Sequence, residues 1–256
     1  MLTEFLVKKV YLLVFVILFV TVNNCSSSSG MQLPKDEGSI SSILKSKGYR
    51  INTYGWKPGK KIESVGMDEK TKYTTGDFES ICSIPTIKQL YFENVELPKL
   101  GDKEIEACTQ DGIESLHFTK VILDQKSICS LSKRMSNRKA FISFGDSQLN
   151  DPILNCVSGT MNLDGLAISG KSNLSELAFC EFTQKSKDLS FLVINDVQFS
   201  KKTLECIFSL PSLTRVTLQG WTKVSEQERF DFVAKYEKKY GRKIQSIVDD
   251  PTTNTY

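Results

Sequence analysis

Histidine is almost missing from this chain: His117 is the only one among 256 residues. That scarcity removes most metal sites and the Ser–His or Cys–His nucleophile pairs, which need a histidine beside a second reactive group. No C-x-x-C pair and no Cys/His cluster occurs, which argues against a zinc site. P-loop, G-x-G-x-x-G and G-x-S-x-G sequences are absent, and the acidic residues are scattered instead of paired. Neither sign of charge dominates, because 33 Lys+Arg face 30 Asp+Glu for a net +3. That balance implies no pull toward nucleic acid or an anionic surface. The expectation is a binding protein with no cofactor, no metal and no enzymatic activity, acting as a monomer.

A long apolar run is missing too. The longest, Val10-Tyr-Leu-Leu-Val-Phe-Val-Ile-Leu-Phe-Val-Thr-Val22, falls short of the roughly 18 residues of a membrane span. Lys8 and Lys9 precede it, and a positive start before an apolar stretch of about 7–15 residues is the form of a secretory signal peptide. The expected signal segment is 1–24, and removing Lys8, Lys9 and Glu4 with it takes the net charge from +3 to +2. An apolar residue, two spacers, a cysteine and a serine tract follow as Val22-Asn23-Asn24-Cys25-Ser26-Ser27-Ser28-Ser29. This arrangement resembles the lipobox of bacterial lipoproteins, with Asn24 standing where that pattern normally has a small residue. The resemblance implies lipidation at Cys25, a membrane anchor at the cell surface and a flexible tether over 25–37. Plain cleavage and secretion is the alternative.

What the chain does have is a repeat. A frame of the form L-x-x-L-x-L recurs as Ile87-x-x-Leu90-x-Phe92, Ile113-x-x-Leu116-x-Phe118 and Lys139-x-x-Ile142-x-Phe144. It continues as Leu163-x-x-Leu166-x-Ile168, Leu189-x-x-Leu192-x-Ile194 and Leu213-x-x-Val216-x-Leu218. The fourth positions step 90→116→142→166→192→216, or 26, 26, 24, 26 and 24 residues. An apolar residue returns farther on, at Leu97, Leu123, Leu149 and Phe199, or one place later at Leu174 and Val224. Helical segments such as Asp151-Pro-Ile-Leu-Asn-Cys156 and Lys202-Thr-Leu-Glu-Cys-Ile-Phe208 then follow.

Motif and period resemble the leucine-rich-repeat family, whose repeats run about 20–29 residues. The resemblance implies an α/β solenoid, a horseshoe of about six coils plus caps, with a parallel concave sheet and helices on the convex side. Each coil is too small to bury its own apolar positions, so stacking is obligatory. The ninth position, usually Asn or Cys in the family, is here Val95, Val121, Ser147, Lys171, Val197 and Trp221. Apolar stacking is therefore expected to replace an asparagine ladder. Lys139 at a first position predicts a local defect or an exposed coil edge.

Six cysteines fall within this part of the chain. Cys129, Cys156, Cys180 and Cys206 lie 13, 14, 14 and 14 residues after their fourth positions, a single repeated place. Buried free thiols are the favoured reading, because helix axes roughly 8–10 Å apart exceed the reach of a disulfide, which needs Cα atoms within about 7 Å. Three bridges are the alternative for an exported chain.

Strand alternation assigns positions three, five and seven to the concave face. Gln89, Tyr91, His117, Phe141, Phe191, Val193 and Arg215 are the candidate binding residues there. Aromatic residues and arginine carry much of the energy at protein interfaces, and the family generally binds proteins on this sheet, so an unidentified protein or glycan ligand is expected. A soluble secreted eukaryotic effector or enzyme inhibitor, glycosylated at Asn173-Leu-Ser175, is the rival. The ends need caps. An amino-terminal cap is expected over 38–83, the array over 84–224, and a carboxyl-terminal cap over 225–248. Ile40, Ile43 and Leu44 predict a short helix, Tyr49-Arg-Ile-Asn-Thr-Tyr54 a strand, and Phe78, Ile81, Cys82 and Ile84 the first helix of the array. Ser225-x-x-Glu228 is a capping box opening a helix that buries Phe230, Val233 and Ala234. A last strand is expected within 244–248, then a disordered tail over 249–256.

Overall fold

A computed structural model describes residues 37–54, 61–74, 76–108, 113–135, 139–160, 162–170 and 172–248. The signal segment, Cys25, all but the last residue of the tether, most of the basic turn Lys57-Pro-Gly-Lys-Lys61, Lys171 and the 249–256 tail lie outside the described residues. The order is α1 (Glu37–Ser46), β1 (Arg50–Tyr54), β2 (Lys61–Met67), α2 (Asp77–Cys82), β3 (Gln89–Glu93), α3 (Asp102–Cys108) and β4 (Ser115–Thr119). It continues with α4 (Gln125–Arg134), β5 (Ala140–Gly145), α5 (Asp151–Thr160), β6 (Leu163–Ser169), α6 (Glu176–Lys185) and β7 (Phe191–Asn195). The last elements are α7 (Lys201–Ile207), β8 (Arg215–Thr217), α8 (Glu226–Tyr240) and β9 (Gln245–Ile247). The nine strands among the described residues join one open sheet in chain order. β1 pairs antiparallel with β2, and every later pairing is parallel. This is an α/β fold whose strand–helix coils stack in sequence order, compatible with a solenoid-like arrangement.

The six frames run in register. Leu90 pairs with Leu116, Leu116 with Ile142, Ile142 with Leu166, Leu166 with Leu192, and Leu192 with Val216. Positions one, four and six are buried in each coil except at Lys139, which is exposed. There the register shifts and Ala140, 1% exposed, pairs with Leu163, so the defect is a one-residue slip that keeps the charge out of the core. Sequence reading missed a seventh frame, Ile62-x-x-Val65-x-Met67, which forms β2 and is equally buried. On the inner side Phe78, Phe92, Phe118 and Phe144 stack at 5.8, 5.1 and 5.5 Å.

Strands β3 to β8 leave the sheet through the same corner. Asn94, Lys120, Asp146, Gly170, Asp196 and Gly220, the eighth position of the six frames from β3 to β8, all have φ between 50 and 75°. Their amides continue the ladder: Asn94 donates to the Thr119 carbonyl, Lys120 to Gly145, Asp146 to Ser169, Gly170 to Asn195 and Asp196 to Gln219. The left-handed corner suits Gly, Asn and Asp and is tolerated by Lys120. At the ninth position the asparagine ladder is not replaced by apolar stacking alone. Ser147 Oγ donates to the Phe118 carbonyl at 3.0 Å, and Trp221 Nε1 donates to that of Ile194 at 2.9 Å. Both carbonyls belong to the sixth position of the preceding coil.

The cysteines correct the free-thiol expectation. Cys82–Cys108, Cys129–Cys156 and Cys180–Cys206 are disulfides with Cα separations of 4.5, 5.1 and 5.2 Å. Residues on the facing sides of adjacent helices come much nearer than the helix axes do, which brings each cysteine pair within bonding reach. The bridges join α2 to α3, α4 to α5 and α6 to α7.

The two ends differ in chemistry. At the amino-terminal end Asp77 accepts bonds from Lys47, from the Thr74 amide (2.9 Å) and from Tyr49 (3.1 Å). Burial pushes the Asp77 carboxyl up, but the Lys47 ammonium and the Thr74 bonds outweigh it and hold the group below the usual range. At the other end the Ser225–Glu228 capping box is present, but the buried stripe of α8 is Arg229, Val233 and Tyr236. Phe230 and Ala234 are exposed, which corrects the expected stripe. Arg229, fully buried, donates to the carbonyls of Trp221, Val224 and Val248.

Candidate functional site

Among the described residues helices cover one side of the sheet, and the third, fifth and seventh positions form the side free of them. Strands about 4.8 Å apart place neighbouring side chains at ring-stacking distance. Tyr91 on β3 and His117 on β4 pair directly, with ring centroids 4.3 Å apart and planes 8° from parallel. His117 reaches diagonally to Phe141 on β5 at 5.4 Å and 43°. Phe141 meets Phe191 on β7 at 5.7 Å and 26°, and the Arg215 guanidinium on β8 lies 4.9 Å over the Phe191 ring. One row thus crosses six strands.

The row crosses β6 at Gly165. A Cβ there would lie 2.5 Å from the Phe141 ring and 3.1 Å from that of Phe191. Glycine leaves the room in which rings two strands apart meet. The four rings are half-buried, whereas Arg215 is exposed. Burial lowers the His117 pKa below its ordinary value, which keeps the ring neutral at pH 7. Its Nε2 lies 3.3 Å from Ser115 Oγ.

Of the seven candidate residues, five make this row. Gln89 adjoins it, accepting a 2.7 Å bond from the Tyr91 hydroxyl. Val193 sits beside it, paired with Ala167 and Thr217 and half-buried. Cys25, the proposed lipidation site, is outside the described residues. Sequence reading missed Arg50, which pairs with Gly66, the neighbour of Tyr91. Its guanidinium lies 2.8 Å from Glu93 and 3.6 Å from Asp68. Arg50, Asn52, Gly66, Tyr91, Glu93 and Thr119 line a recess of about 300 Å³ at this end of the row. The alternation of Tyr49 to Tyr54 put Arg50 on one side of a strand, but nothing in the sequence said which sheet that strand joins.

Among the described residues no group of three or more His, Cys, Asp or Glu is placed to hold a metal ion. No helix among them is long and apolar enough to cross a membrane. Comparison with protein-family models and with curated proteins finds no match for this chain.

Proposed function

We propose that this chain is an exported, membrane-tethered binding protein built as a leucine-rich-repeat horseshoe, holding a protein or glycan on the helix-free side of its sheet. The row from Tyr91 through His117, Phe141 and Phe191 to Arg215 carries the reading. A contiguous run of half-exposed rings on a solvent face is uncommon unless something covers it, and these residue types concentrate binding energy. The sole histidine is committed to ring stacking, which favours binding over catalysis. Three disulfides suit an oxidising compartment and support export.

Photo-cross-linking from the full chain tests the binding face. Replacing Tyr91, Phe141 and Phe191 together by Ala should abolish capture while the circular dichroism spectrum is unchanged; undiminished capture overturns the assignment. Metabolic labelling with palmitate tests the anchor. Label lost in Cys25→Ala supports it, and an unlabelled wild type refutes it.

A further inference from the structure

The way the rings face one another narrows the partner. We infer that the helix-free side takes an extended polypeptide segment of alternating acidic and apolar side chains, not a glycan. This rests on the sheet-face reading above. A pyranose docks on an aromatic residue by laying its weakly positive C–H face on the negative face of an open ring. His117, Phe141 and Phe191 each have a stacking neighbour on both sides, and Tyr91, next to Gly66, has one. Tyr91 and His117 cover one another at 4.3 Å, Phe141 and Phe191 overlap at 5.7 Å across Gly165, and Arg215 lies over Phe191. What the row turns outward is ring edge, which carries positive partial charge and attracts carboxylate and carbonyl oxygen.

The fixed charges point the same way. At the β1 end Arg50 is held between Glu93 and Asp68, so among the described residues no cation is left there for a partner. Arg215 is exposed, and among the described residues no carboxylate lies within ion-pair distance of it, so its charge is left for a partner. Charge complementarity at the β8 end therefore selects an acidic side chain beside Arg215. Reach fits as well. Five strand spacings of about 4.8 Å give a row of about 24 Å, which an extended chain spans with about seven residues. Gln89, Ser143, Ser169 and Asn195 flank the rings and supply the polar rim of a peptide site.

The test measures fluorescence anisotropy of the full chain with three labelled probes. They are an octapeptide alternating Glu with Leu and Phe, the same peptide with Lys for Glu, and chitohexaose. The acidic peptide should bind, the basic one about tenfold or more weaker, and the sugar not at all. Arg215→Gln should erase most of the preference for the acidic peptide. Gly165→Ala, which pushes the two phenylalanine rings apart, should weaken that peptide about tenfold without moving the melting temperature. Equal binding of the two peptides, no peptide binding up to about 1 mM, or sugar binding as tight as the acidic peptide overturns the inference. If discrimination fails while the triple alanine variant still loses its cross-linked partner, the sheet-face reading survives and the acidic partner falls. If that variant keeps its partner, the sheet-face reading falls too.

Discussion

Two aromatic ladders climb the same strands on opposite sides of the sheet. Phe92, Phe118 and Phe144 occupy sixth positions facing the helices and are 0–3% exposed. Tyr91 and His117 occupy fifth positions, Phe141 and Phe191 third positions, and all four are half-exposed. The spacing is alike, 5.1 and 5.5 Å within against 4.3 to 5.7 Å without. Folding accounts for the inner ladder, because rings removed from water hold the coils together. It does not account for the outer one, where each ring stays partly in water. A side chain kept where it adds little to stability points to a second selective demand.

That contrast can be broken from either side. Phe118→Ala should cost about 3–5 kcal/mol in urea denaturation, since it empties a site stacked on both sides. A loss below that of an outer-ladder variant would erase the distinction. Replacing Cys129 and Cys156 together by Ala should cost about 3 kcal/mol by the same measurement, from the conformational freedom returned to the unfolded chain. The rings on the open side should keep their binding, so a loss of ligand capture would show that the two sides are coupled.

Phe141→Ala should cost no more than about 1 kcal/mol, because its ring is half-solvated in the folded state. Its effect should fall on binding. The smallest effect is a pH dependence. An unfolded histidine titrates near its ordinary value of 6.5, and buried His117 titrates lower. Between those values the unfolded state binds more protons, so stability falls as pH drops below about 6.5 and levels off once the folded ring is protonated. Asp77 and Glu176 have lowered values, so their contributions are present in full above 4.5 and fade only below it. With one histidine in the chain, the urea midpoint should drop between about pH 7.5 and pH 5.5 in the wild type and stay level in His117→Phe. A level wild-type profile would place that ring in water.

The periodic part of this architecture was legible in the sequence. Six apolar frames fixed six strands, their registers and the side on which Tyr91, His117, Phe141, Phe191 and Arg215 would emerge. What escaped depends on distances between coils. The cysteine spacing marked one repeated place, yet pairing turned on which sides of neighbouring helices face each other. Gly165 is simply a third-position residue in its frame, and its meaning lay in two rings brought over it from β5 and β7. In α8 the apolar pattern suggested Phe230 and Ala234, but burial went to Arg229, whose donors meet the carbonyls left open where the stack ends. Periodicity cannot foresee a buried cation, because it counts side chains as apolar or polar and not by the bonds they complete.

The three disulfides also set a counting rule for how such a chain can grow or shrink. Each joins two consecutive coils, 82 with 108, 129 with 156 and 180 with 206, and the first partners recur after 47 and 51 residues. A chain shortened by one coil carries an odd thiol, exposed to mispairing with another molecule. Shortened by a bridged pair, it keeps its sulfur count even. Heritable changes of length should therefore come two coils at a time, although each coil alone looks like the unit of the repeat.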